Sequence, residues 1–173
     1  MFLELSNIGH EGFELDRTFE AIELSLGPNE PVTAGPVRIQ GTGRRERLGV
    51  RLDANLAAQV ELTCCRCLDP YRMKIEDRFF LILTGDAMEV PSGEQEVPDD
   101  RVAMFHATEG KVRVEDICTE QIYLHLPLKP VCREDCAGLC PECGTNRNRE
   151  TCSCREHAVD PRLAPLLKFR DSE

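Results

Sequence analysis

Hydrophobic residues recur at every second position over most of the first two-thirds of the chain. Leu48, Val50, Leu52, Ala54, Leu56, Ala58, Val60, Leu62 and Cys64 alternate with mostly polar residues. A period of two puts all nine on one face of an extended strand, so a long half-buried strand is expected here. Residues 64–70 then break the pattern. It resumes at Tyr71, Met73, Ile75, Phe79, Leu81 and Leu83. Two such runs joined by a short turn predict an antiparallel hairpin. Weaker alternation precedes it at Leu3 and Leu5, at Phe13 and Leu15, at Ile22, Leu24 and Leu26, and at Val37 and Ile39. The glycine- and arginine-rich segment of residues 41–47 reads as a turn.

Beyond the hairpin the period changes. Residues 85–100 carry Gly, Pro, Ser and acids without periodicity and predict a long acidic loop. Glu115 and Asp116 look like a helix start, with Ile117, Gln121 and Leu124 on one face. That helix must stop before Pro127. A second short helix is expected over residues 159–169, with Asp160 as N-cap and Pro161 in the first turn. The expected fold class is α+β: a mainly antiparallel β body over residues 1–128, and a Cys-rich, zinc-binding tail over residues 129–173 with the terminal helix.

The cysteines carry the chemistry. Ten occur in 173 residues, and six of them, Cys132, Cys136, Cys140, Cys143, Cys152 and Cys154, crowd into the tail. The opening residues lack a basic segment, an apolar core and a small-residue cleavage site, and no run approaches membrane-spanning length. The expected compartment is therefore the cytoplasm, where clustered thiols hold metal more often than they form disulfides. The sequence Cys140-Pro141-Glu142-Cys143-Gly144 has the shape of a zinc knuckle. Two thiolates three positions apart can share one ion, and a second pair completes a tetrahedron. The ligand set read from spacing is Cys140, Cys143, Cys152 and Cys154, with Cys132 and Cys136 as alternates. Four thiolates leave no open position, so such a site is structural.

Cys64-Cys65-Arg66-Cys67 at the hairpin tip is a second candidate. Three readings stay open for Cys64 and Cys67: a second metal site shared with Cys132 and Cys136, a redox dithiol, or a turn of unmetallated thiols. A thioredoxin-like role would need the motif to open a helix, and here it lies between strands.

The net charge is −10, and there is no Trp and only two Tyr. That composition argues against bulk attraction to polyanions and against a base-stacking platform. Residues 38–78 are locally basic, with nine Lys or Arg against six acids. Arg44, Arg45, Arg47 and Arg66 are the candidate phosphate contacts; a solvated hairpin end is the competing reading. No Ser/His/Asp, His-Glu-x-x-His or paired-carboxylate pattern supports catalysis. No small-molecule substrate is expected either.

The order of motifs resembles one family. It comprises Cys64-x-Arg66-Cys67-Leu68 after a long strand, an acidic loop, and Leu126-Pro127-Leu128-Lys129-Pro130. Then come Cys132-x3-Cys136-x-Gly138-Leu139-Cys140-Pro141-x-Cys143-Gly144-x-Asn146-x-Asn148, Cys152-x-Cys154 and Asp160-Pro161-Arg162-Leu163-Ala164. This arrangement resembles the YceD family of bacteria and plastids across nearly the whole chain. The resemblance implies a non-enzymatic cytoplasmic factor of ribosome biogenesis, needed for accumulation of the large-subunit ribosomal RNA. Its partner is expected to be a large-subunit ribosomal protein, precursor ribosomal RNA or another assembly factor. The net acidity favours a basic protein slightly over RNA. Two other classes remain: a thiol redox protein using Cys64 and Cys67, and a zinc-ribbon interaction adaptor with no ribosomal role.

Overall fold

The computed structural model describes residues 1–25, 31–47, 49–85 and 103–154. Nine strands and one α-helix follow in chain order among them: β1 (Phe2–Glu4), β2 (Phe13–Phe19), β3 (Ile22–Ser25), β4 (Pro31–Ala34), β5 (Val37–Glu46), β6 (Gly49–Thr63), β7 (Pro70–Gly85), β8 (Ala103–Ala107), β9 (Lys111–Arg113) and α1 (Val114–His125). The chain is α+β and mainly antiparallel, as the pattern of periods predicts. The expected acidic loop and terminal helix lie largely outside the described residues.

The β6–β7 hairpin is the spine. Its ladder runs from Val50 opposite Leu83 to Thr63 opposite Pro70. β6 is longer than any strand on its other edge. β5 pairs along Gly49–Ala57, and β4 touches β6 only at Ala34 opposite Val60. β2 extends the sheet beyond β5 and β3 beyond β4. β8 adds to β7 in parallel, and β1 pairs separately with β9.

The even positions of β6 from Val50 to Leu62 are all buried, and Cys64 continues the series past the strand end. Helix α1 covers this face with Val114, Ile117, Cys118, Gln121 and Ile122. Leu124 corrects the sequence reading. It is 69% exposed: the buried stripe runs from Ile117 round to Ile122, and Leu124 lies past its edge in the last turn, about 160° around the helix from Ile122. The helix ends at His125, just before Leu126-Pro127. The side chain of His125 faces Asp77 on β7, with Nε2 to Oδ2 at 3.6 Å.

The second correction concerns residues 41–47. They are not a turn up to Glu46 but the second half of β5, with Glu46 opposite Gly49. Gly41 is there for proximity: a Cβ would collide with the carbonyl oxygen of Asp53 and the Cα of Ala54 on β6. A strand glycine marks close backbone approach as readily as a bend.

Candidate metal centre

The hairpin tip and the tail use the same local fold twice. In the first knuckle the Cys64 N–H donates to the Asp69 carbonyl at 2.9 Å, and the Leu68 N–H donates to the Cys64 carbonyl at 2.9 Å. In the second the Cys140 N–H donates to the Thr145 carbonyl at 2.8 Å, and the Gly144 N–H to the Cys140 carbonyl at 2.9 Å. Each needs a left-handed residue after its second cysteine. Gly144 supplies it at φ 73°, and Leu68 adopts it at φ 60°. Backbone N–H groups thereby turn toward the sulfurs.

The tail folds back over the first knuckle. The Cys65 N–H donates to the Pro130 carbonyl at 2.7 Å, and the Leu139 N–H to the Arg66 carbonyl at 3.0 Å. Gly138 permits this approach, since its φ is 71° and a Cβ would sit 3.1 Å from the Arg66 oxygen. The result is two quartets of sulfur. Cys64, Cys67, Cys132 and Cys136 have all four Sγ atoms within 4.8 Å of one another, as do Cys140, Cys143, Cys152 and Cys154. In the first quartet Cys64 lies 3.8 Å from Cys136, and Cys67 lies 3.7 Å from Cys132. These are not disulfide lengths, which are about 2.05 Å. They match the edge of a sulfur tetrahedron around Zn²⁺, about 3.8 Å for Zn–S bonds of about 2.3 Å. The donor set fits a closed, four-thiolate metal site in both places.

Local electrostatics lower some thiols of each quartet and raise others. Burial opposes ionisation of Cys64, but the N–H groups of Cys67, Cys132 and Arg66 outweigh it and bring the thiol down to about 6. The N–H groups of Cys143 and Glu142 bring Cys140 to about 6 as well. Burial opposes ionisation of Cys136 too, but the Asn148 amide and the Gly138 N–H lower that thiol, and Thr145 lowers Cys143. Burial, with the neighbouring sulfurs, pushes Cys132 up to about 12, and Cys143 and burial push Cys154 up to about 12. A divalent cation removes that conflict by binding all four as thiolates.

The two remaining cysteines join neither cluster. Cys65 is exposed, and Cys118 is buried in α1 with its thiol pushed up to about 12 by burial. His157, a possible spare ligand, lies outside the described residues.

The arginine candidates do not form one patch. Arg44 and Arg45 sit at one end of β6 and Arg66 beyond the other, roughly 45 Å of strand apart at about 3.3 Å per residue. Two of them are engaged internally. Arg45 donates from Nε to the Ile8 carbonyl at 2.7 Å and from Nη2 to the Leu5 carbonyl. Arg66 donates from Nη1 to the carbonyls of Glu134 at 3.0 Å and Cys136 at 3.1 Å. Arg44 pairs with Glu46 at 3.1 Å. Arg47 is exposed at the β5–β6 turn. A groove of about 880 Å³ runs beside the first knuckle, lined in part by Glu61, Leu62, Leu68, Arg72 and Pro130.

Comparison with known proteins decides the family. Residues 52–170 match the family described as "Large ribosomal RNA subunit accumulation protein YceD". The chain belongs to the YceD family. The matched span takes in most of β6, β7 and both quartets, so the resemblance drawn from the motifs holds. The YceD relatives include a maize protein named "Large ribosomal RNA subunit accumulation protein YCED homolog 1, chloroplastic". It is 29% identical, over 93% of this chain and 59% of its own length. The Arabidopsis thaliana protein of the same name is 26% identical over 79% of this chain and 49% of its own. An uncharacterised protein of Mycobacterium tuberculosis (strain ATCC 25618 / H37Rv) is 28% identical over 72% of this chain and 58% of its own. The chain thus spans between about a third and three-fifths of the length of the curated relatives it matches. No solved structure matches it significantly. Among the described residues no helix is long and apolar enough to cross a membrane.

Proposed function

We propose that this chain is a non-enzymatic ribosome biogenesis factor required for accumulation of the large-subunit ribosomal RNA, and that it acts by binding. The observation that carries the reading is the YceD match over residues 52–170. In this reading Zn²⁺ occupies the Cys140, Cys143, Cys152, Cys154 quartet and also the Cys64, Cys67, Cys132, Cys136 quartet. Each ion supplies only charge and four bonds, because no ligand position is left for substrate. Residues 129–173 are then a tail clipped onto a body of residues 1–128 by the first quartet. Clustered thiols suit a reducing compartment, and we place the protein in the cytoplasm.

The direct partner we favour is a basic protein of the large subunit. The chain carries −10 net charge, and two of its four arginine candidates are committed to backbone carbonyls. Of those four, Arg44, Arg47 and the remaining face of Arg66 are left to contact precursor RNA. The test is depletion of the protein in its native host, with the ratio of large- to small-subunit ribosomal RNA as readout. The ratio falls and is restored by the wild-type chain; an unchanged ratio removes the reading. Co-sedimentation with large-subunit precursors separates it from a zinc-ribbon adaptor with no ribosomal role. Against the redox alternative, Cys64 and Cys67 are buried, each faces a tail sulfur, and the motif opens no helix. Turnover of a dithiol substrate by the zinc-loaded protein would revive it.

A further inference from the structure

The loop between the two cysteine pairs of the second quartet does more than join them. Its ends are fixed by the second quartet, since it runs from Cys143 to Cys152. Its middle works at the first quartet. Asn148 donates from Nδ2 to Cys136 Sγ at 3.3 Å. Its Oδ1 accepts from the Ala137 N–H at 2.8 Å and from Arg133 Nη2 at 2.8 Å, which holds the backbone beside Cys136. Asn146 donates to Asp69 Oδ2 at 2.8 Å, and Arg149 meets the same oxygen at 3.0 Å. Asp69 in turn accepts the Cys64 N–H that closes the first knuckle.

The loop is tied internally too. Asn146 Oδ1 accepts from both the N–H and the Nδ2 of Asn148, each at 3.0 Å. Next to Asn148, Arg147 reaches the other way. Its Nη2 lies 3.9 Å from Cys140 Sγ, and its N–H donates to the Gly138 carbonyl at 2.9 Å. Adjacent residues therefore serve opposite quartets.

We propose that residues 145–150 form an outer shell shared by the two quartets, with Asn148 as positioning residue for the first, so that the quartets load metal cooperatively. The inference rests on the zinc reading above. A sulfur carrying negative charge is stabilised by an N–H aimed at it, and the donor must be held in place to count. Metal in the second quartet fixes both ends of the loop and so prepays the ordering of Asn148 and Asn146. Metal in the first quartet fixes Cys136 and the Asp69 turn, which hold the loop from the other side. Coupling of this kind is reciprocal: each ion raises the affinity for the other by one common factor.

The experiment uses the full chain loaded with zinc, and follows release to a chelating dye. The variants are Asn148→Asp, Asn148→Ala and the double variant Cys140→Ser/Cys143→Ser. The wild type is expected to hold two zinc ions and to release them in one phase. Each variant should weaken the first quartet about 10- to 100-fold, the range for loss of an outer-shell partner. Asn148→Asp keeps the shape and the acceptor contacts but replaces the donor facing Cys136 by a carboxylate oxygen. With Co²⁺ in place of zinc, it should shift the sulfur-to-metal charge-transfer band of the first quartet, which a purely loop-shaping residue would leave unmoved. If the double variant does not fold, Asn148→Asp decides alone. Two zinc ions bound, with first-quartet release and band unchanged in Asn148→Asp, would overturn the coupling and leave the metal reading standing. A wild-type chain that binds no zinc would remove both.

Discussion

Replacing Arg45 by Met separates a structural arginine from a phosphate contact. Arg45 lies on β5 near the hairpin end, and its guanidinium donates to the carbonyls of Leu5 and Ile8, two buried residues of the N-terminal segment. Hydrogen bonds from a charged donor contribute about 1.5–3 kcal/mol each. One side chain makes both bonds, so they do not add fully, and Leu5 O also accepts the Ile8 N–H at 3.4 Å. The expected loss is about 3 kcal/mol, because two part-buried carbonyls lose one charged donor. With a urea m-value of about 2 kcal/mol/M, the unfolding midpoint should fall by about 1.5 M. Arg44→Met is the control. Arg44 pairs with Glu46 at the surface, so its loss should cost no more than about 0.5 kcal/mol. A midpoint shift in Arg45→Met no larger than in Arg44→Met would refute the reasoning. So would a selective loss of RNA affinity in Arg45→Met at unchanged stability.

Gly138→Ala should cost about 1–2 kcal/mol through its left-handed backbone, and more through the contact with the Arg66 carbonyl; limited proteolysis of residues 129–154 should quicken. Leu68→Gly should change stability by less than about 1 kcal/mol in denaturant melts, because relief of the left-handed strain offsets the added chain entropy. A drop in large-subunit RNA accumulation with that variant would then mark the exposed leucine as a contact. In the metal-free protein Cys64 and Cys140 ionise near pH 6, below their unfolded value near 9. Their contribution to stability is therefore full above about pH 9 and lost as pH falls through about 6. Thiolate absorbance near 240 nm should show this early step, and its absence below pH 8 would contradict the assigned N–H donors. Stripping the metal, or Cys140→Ser with Cys143→Ser, should make residues 129–154 protease-sensitive while the β6–β7 hairpin keeps its circular dichroism; full resistance of the tail would count against a structural clip.

Much of the body was legible because it rests on one repeated signal. Alternation over β6 and β7 fixes which face is buried, and one face buried fixes the register. The short strands were less legible. β1 and β9 have three residues each, too few to show a period, and parallel β8 follows residues with no pattern at all. Residues 41–47 misled because glycine marks both turns and close approach, and only the neighbouring strand tells them apart. Leu124 misled because a helix with this many apolar residues offers more than one stripe. At the metal centre, the spacing of Cys140, Cys143, Cys152 and Cys154 is local, and the structure brings those four sulfurs together. The first quartet draws its pairs from positions 64 and 67 and from 132 and 136, and nothing local joins them. The sequence offered that grouping as one of three readings for Cys64 and Cys67; the likeness of their turn to the second knuckle was hidden, since Leu68 stands where the motif has glycine. Asn146 and Asn148 were visible as motif residues, but their hydrogen bonds to Asp69 and Cys136 follow only from the tail's return.

The divided origin of the first quartet also sets an order in time. A chain emerging from the ribosome presents Cys64 and Cys67 as an incomplete dithiol long before Cys132 and Cys136 are made. β6 and β7 can pair at that stage, because hairpin contacts are local. The half-site must wait through the synthesis of α1, and at typical elongation rates of about 5–20 residues per second that wait lasts several seconds. Closure of the quartet thus waits for the tail, at a hairpin tip that is made some 65 residues earlier. A chain truncated before residue 132 keeps its hairpin but carries two bare thiols there, exposed to oxidation or to the wrong metal.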